Sequence, residues 1–104
     1  MHDIDYLEEL DASLDAGRTT VLLFTRATTE GRERLLRGAG RLLRRNPAVD
    51  AYHVDLDYHP TAAGRFTVFA TPTYVVYHRG KMVSKVEGGF SPGHIARTLA
   101  SLLG

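Results

Sequence analysis

The stretch ATPTYVVYHRGKMVSKVEG, residues 70–88, carries more of the fold than any other segment of this chain. Pro72 has no N–H to give a β-ladder, so it marks the start of a strand rather than its interior. Thr73 to His78 (TYVVYH) is rich in β-branched and aromatic residues, Arg79-Gly80 is a turn pair, and Lys81 to Val86 resumes the strand pattern. Together they predict an antiparallel hairpin. Upstream, Val49 to Asp57 alternates, with Val54 and Leu56 on one face and His53, Asp55 and Asp57 on the other, as a strand does. Thr19 to Thr25 (TTVLLFT) is a nearly continuous apolar run, which suits a strand buried on both faces of a mostly parallel sheet.

Helical signals fill the gaps. Asp5 with Glu8 has the form of a capping box, and Ile4, Leu7, Leu10 and Leu14 repeat at helical spacing, predicting a helix over about residues 5–16 that stops at Gly17. A second helix is expected to begin at Thr28 or Thr29, either of which can cap it, and to carry Leu35, Leu36, Ala39, Leu42 and Leu43 to Asn46-Pro47. Pro60 starts a short helix over Thr61 to Phe66. Ser91-Pro92 opens a last one, with Ile95, Leu99, Leu102 and Leu103 on its apolar face. The order α-β-α-β-α-β-β-α predicts one three-layer α/β domain over residues 1–104, with a central mixed sheet of about four strands flanked by helices.

Composition narrows the function. With 104 residues and 43% hydrophobic content the chain can build one core and is too short for two. It contains no cysteine, which removes disulfides, thiolate metal sites and cysteine nucleophiles together. No apolar run approaches the roughly 20 residues that span a bilayer, and Met1 to Asp5 is acidic where a secretory leader would be basic, so the cytoplasm is the expected location and no membrane partner is expected. A P-loop, a dinucleotide-binding glycine motif and a Ser-His-Asp signature are all missing.

Four landmarks, spread over essentially the whole chain, resemble the thioredoxin superfamily. The strand ending in Phe24 leads into a helix; Asp57-Tyr-His-Pro60 closes a strand as the family's Asp-x-x-Pro does; Ala70-Thr71-Pro72-Thr73 is similar to its Pro-Thr element; and Arg79-Gly80-Lys81 to Gly88 is similar to its terminal hairpin. The resemblance implies a thioredoxin fold, lacking at most the short first strand, and a cis Pro72 facing the start of the second helix. Counted from Phe24, the family's Trp-Cys-Gly-Pro-Cys active site falls on Thr28, Thr29, Glu30, Gly31 and Arg32. The family's buried proton-shuttling Asp falls on Leu23 and the Lys paired with it on His53. The nucleophile, the resolving cysteine and the proton relay are thus absent together, and disulfide exchange needs a thiolate.

What the resemblance leaves is a vestigial corner of Thr28, Thr29, Glu30, Gly31, Arg32, Thr71 and Pro72, and no cofactor or metal is expected there. The family's peptide-docking loops fall on Ala70, Thr71, Glu87, Gly88 and Gly89, which offer only small residues and one charge. A glutathione-like thiol cofactor held by Thr28 or Thr29 is the enzymatic alternative, although a plain helix cap explains either threonine. His53, Asp55, Asp57 and His59 suggest a metal or acid–base cluster only weakly, since each has a local hydrogen-bonding use. The most distinctive surface is an arginine stripe, Arg34, Arg37, Arg41 and Arg44 with Arg45 beside it, set against an acidic segment of Asp3, Asp5, Glu8, Glu9, Asp11 and Asp15. These arginines are the expected contacts for a protein partner. Nucleic acid is disfavoured because no aromatic residues interleave the stripe. The expectation is therefore a redox-inactive protein-binding, co-chaperone or regulatory module, a monomer or weak homodimer.

Overall fold

A computed structural model describes all 104 residues. Nine elements follow in the order β1 (His2–Asp3), α1 (Glu9–Asp15), β2 (Thr20–Thr25), α2 (Arg32–Arg44), β3 (Asp50–Asp55), α3 (Thr61–Phe66), β4 (Thr73–His78), β5 (Lys81–Glu87) and α4 (Pro92–Leu103). The sheet runs β1-β3-β2-β4-β5. Both β1 and β2 are parallel to β3, whereas β4 is antiparallel to β2 and to β5. The sheet is mixed, as expected, but has five strands rather than about four. The additional strand pairs only His2 with Tyr52 and Asp3 with His53, too short a run to show an alternating pattern.

All six residues of β2 are buried, which is why its sequence is apolar almost throughout. Leu22 and Phe24 point to one side, against Leu10 of α1 and Ala62 and Phe66 of α3. Val21 and Leu23 point to the other, against Leu35, Ala39 and Leu43 of α2 and Ile95 and Leu99 of α4. Two cores, one per face, make the three layers. On the second face α2 and α4 meet at Gly38, where a Cβ would lie 2.6 Å from Pro92 Cγ. Only a residue without a side chain allows that approach.

Two helix starts differ from the sequence reading. The first helix begins at Glu9 rather than near residue 5, because the Glu9 carboxylate, not a box of Asp5 with Glu8, accepts the N–H groups of Asp5 and Tyr6 at 2.6 and 2.8 Å. Those bonds, Tyr6 foremost, and one from His2 hold its carboxyl below the ordinary glutamate range. The second helix begins at Arg32 behind a left-handed Gly31 (φ 69°), with no side-chain cap, because Thr29 is engaged elsewhere. No helix is long and apolar enough to cross a membrane.

Asp50 opens β3 and receives the Arg18 Nε–H at 2.8 Å and the Ser13 hydroxyl at 2.5 Å. The bond from Arg18, followed by that from Ser13, holds its carboxyl below the usual aspartate range despite partial burial. Because the folded value is the lower one, the unfolded chain takes up protons first as pH falls. The stabilisation is therefore complete above the ordinary carboxylate value near ~4 and is lost as pH drops through the folded value. Asp50→Asn is expected to cost about 1–2 kcal/mol at neutral pH and to flatten the acid limb of stability. Urea midpoints measured across acidic pH check this, and an unchanged acid limb would overturn it.

Candidate functional site

The segment between β2 and α2 is a turn built on Thr29. Its hydroxyl accepts the Arg26 N–H at 2.8 Å, its N–H bonds the Arg26 carbonyl at 3.0 Å, and its carbonyl accepts the Arg32 N–H at 3.3 Å. The Thr29 hydroxyl proton goes to Thr71 Oγ1 at 2.9 Å. Thr29 is thus a buried tie between two loops and not the helix cap the sequence suggested. The Thr71–Pro72 peptide that it touches is cis. Asp57 steadies the same turn, accepting the Ala27 N–H at 2.6 Å with Arg26 nearby at 3.6 Å. Thr28 is exposed and its side chain makes no hydrogen bond, so it does not join the corner.

Arg32 leaves the corner altogether. Its Nε–H donates to Thr25 Oγ1 at 3.0 Å and another guanidinium N–H to Asp55 at 3.1 Å. Arginine only donates, so the Thr25 hydroxyl passes its own proton to His53 Nε2 at 2.7 Å, and His53 Nδ1–H donates to Asp3 at 2.7 Å. This chain lies over the sheet on the α2 side, and a cleft of about 450 Å³ lined by Asp3, Asp5, Arg32, His53, Asp55 and His59 opens above it. Thr25 and His53 have the hydrogen bond of a nucleophile with its base. Thr25, however, is fully buried beneath Arg32 and is absent from the cleft wall, so the network is structural. The residues weighed as a metal cluster are likewise engaged one by one: His53 with Asp3 and Thr25, Asp55 with Arg32, Asp57 with Ala27, and His59 with the Ile4 carbonyl.

On the other side of α2 a larger groove of about 770 Å³ runs between that helix and the loops before β4 and after β5. Arg34, Arg37 and Arg41 form one wall, and Thr71, Pro72, Gly88, Gly89 and Phe90 the other, with Glu30 and Gly31 at the end of α2. The sequence presented the arginine stripe and the proline corner as separate surfaces; the fold joins three of the arginines to that corner. Arg44 and Arg45 lie outside the groove. The corner is also less bare than its small residues implied. Phe90 lines it, resting edge-on against Tyr74 at 4.8 Å, and Phe69 is 78% exposed just before Ala70. Its place directly after Gly88-Gly89 was the available signal for Phe90.

No protein-family model and no curated protein sequence matches the chain. Solved structures do. A thioredoxin from Fasciola hepatica superposes with a TM-score of 0.86 at 23% identity, covering 97% of this chain and 98% of that one. Thioredoxin from Trypanosoma brucei brucei gives 0.85 at 23% identity, over 97% of this chain and 88% of its own. A designed protein gives 0.87 at 28% identity, over 99% and 92%.

The chain has the thioredoxin fold.

Thr29 presents a hydroxyl, not a sulfur, to Thr71 beside the cis Pro72. With no cysteine anywhere, the chain has no thiolate to attack a disulfide. The Arg32–Thr25–His53–Asp3 chain occupies this thioredoxin fold's sheet beside Leu23, which lies directly across the ladder from His53. No carboxylate is buried at Leu23 to relay a proton.

Proposed function

We propose that this chain is a redox-inactive binding module that holds an extended segment of a partner protein in the groove between α2 and the Thr71–Pro72 loop. One observation carries the reading: a single groove joins unpaired arginines to a loop in which the main chain of Thr71 is free. The N–H and C=O of Thr71 make no hydrogen bond within the fold, although Gly88 N–H bonds the adjoining Pro72 carbonyl at 2.9 Å. Such groups offer a passing strand the ladder bonds that give extended peptides their affinity. Phe90 and Pro72 supply an apolar wall, and aromatic anchors carry much of the energy of such contacts. A co-chaperone, scaffold or regulatory subunit would use such a surface. Thiol-cofactor chemistry is the less supported reading, because the Thr29 proton that would stabilise a thiolate is given to Thr71 and Thr28 stands exposed outside the groove.

Selection of a display library of random linear peptides on the immobilised chain tests this. A Cβ added at Gly89 would meet nothing within 4 Å, and the residue has no positive φ, so Gly89→Trp fills the groove without straining the fold. Enriched peptides are expected to bind the native chain and to lose at least about tenfold in affinity for Gly89→Trp. Equal binding to both, or no enrichment, would overturn the reading.

A further inference from the structure

The groove's wall specifies its occupant's chemistry. Arg34, Arg37 and Arg41 form no ion pair within the chain, whereas Arg18, Arg26, Arg32 and Arg65 each meet a carboxylate. Three like charges side by side on one helix face repel one another, and the nearby Glu30 and Glu33, four residues before Arg34 and Arg37, form no ion pair with them and leave an excess of positive charge. Resting on the binding reading above, we infer that the groove takes an extended protein segment carrying carboxylates at alternate positions, laid along α2 with its acidic side chains toward Arg34, Arg37 and Arg41.

Geometry sets the spacing. At about 1.5 Å of rise per residue, Arg34 and Arg41 stand ~10.5 Å apart along the helix axis with Arg37 between them. An extended chain advances about 3.3 Å per residue and returns to the same face every second one, so its carboxylates fall ~6.6 Å apart. Two or three alternate acids therefore span the arginines, each within reach of a long, rotatable guanidinium that can bond both oxygens at once. Glu30 sits at the Thr71 end of the groove and repels a carboxylate there, which sets the direction in which the acidic part lies. The closed contact of Gly38 with Pro92 lies between the walls, so the occupant runs along the groove and not through it. A nucleic acid fits less well, because the facing wall offers unpaired peptide groups at Thr71 and its one aromatic ring, Phe90, is committed to Tyr74.

The probes are a labelled peptide of alternating Val and Glu, its Gln and Lys counterparts, and a single-stranded oligonucleotide, read by fluorescence anisotropy on the full chain. The Glu peptide is expected to bind at least about tenfold more tightly than the Gln peptide at low salt, with the difference shrinking as salt rises. Arg37→Glu is expected to remove that preference, while Arg44→Glu and Arg45→Glu shift it less than about threefold. Equal binding of the three peptides, all blocked by Gly89→Trp, would overturn the acidic specificity and leave the groove reading standing. Insensitivity of every peptide to Gly89→Trp would overturn the groove itself. Tighter binding of the oligonucleotide, or sedimentation showing that Arg37→Glu dissolves a self-associated form in which a second copy's acidic segment fills the groove, would also overturn the inference.

Discussion

Thr29→Cys combined with Arg32→Cys is expected to close a disulfide and to give the chain an insulin-reducing activity that the native sequence lacks. The Arg32 N–H bonds the Thr29 carbonyl at 3.3 Å, closing a four-residue turn. Such a turn keeps its end Cα atoms within about 7 Å, at the edge of what a disulfide bridges. Thr29 already faces Thr71, in the loop proposed to lie against a partner segment. Reduction is expected to be slow, since Leu23 leaves no buried carboxylate to activate the second sulfur. The two substitutions also break the Arg32 bonds to Thr25 and Asp55 and the Thr29 hydroxyl bonds to Arg26 and Thr71, a loss of about 3–5 kcal/mol in the reduced form. The short disulfide loop returns about 2 kcal/mol of that when oxidised. The reduced variant should therefore melt well below the oxidised one, which should itself lie below the native chain. Thiol titration after mild oxidation, thermal melts of both forms and insulin turbidity with dithiothreitol check the three statements. Thiols that stay free under oxidant would overturn the geometry. Acceleration by the native, cysteine-free chain would overturn the claim that it lacks the chemistry.

Gly38→Val is expected to lower stability by about 2–3 kcal/mol, against the usual direction for a helix glycine. In an open helix position, replacing glycine removes backbone freedom from the unfolded chain and stabilises by roughly 0.5–1 kcal/mol. At Gly38 the new Cβ would lie 2.6 Å from Pro92 Cγ, and the proline ring is locked at the first turn of α4. Neither group can rotate away, so the two helices must part, and a β-branched side chain adds a methyl that has only stiff rotamers to choose from. Separation also moves Pro92 off the groove wall, so affinity for groove-bound peptides falls with stability. Gly40 is the control: nothing lies within 4 Å of its Cβ position, and Gly40→Ala should gain up to about 1 kcal/mol. Thermal melts of the two variants decide it. The transition of Gly38→Val should drop by roughly 10 °C or more, and one as high as that of Gly40→Ala would overturn the close-packing account.

Much of the architecture was written locally. The hairpin from Thr73 through Arg79-Gly80 to Glu87, the buried strand at Thr20–Thr25, and the apolar stripe of α2 each follow from period-two or period-3.6 patterns and turn residues, which act over a few neighbouring positions. The missing thiol chemistry needed only the composition. The candidate site was not legible in that way. β1 exists only because two residues find β3 some 50 positions away, and α2 starts late because the Thr29 hydroxyl is drawn to Thr71, 42 residues on. Arg32 turns inward to Thr25 and Asp55, although its neighbours on the same helix stay free to face the groove. Arg34, Arg37 and Arg41 become a single site with Pro72 and Phe90 only when α2 packs on α4 through Gly38. Those outcomes rest on contacts between residues distant in sequence, where the energy lies in tertiary packing and satisfied polar groups and leaves no periodic trace in the chain.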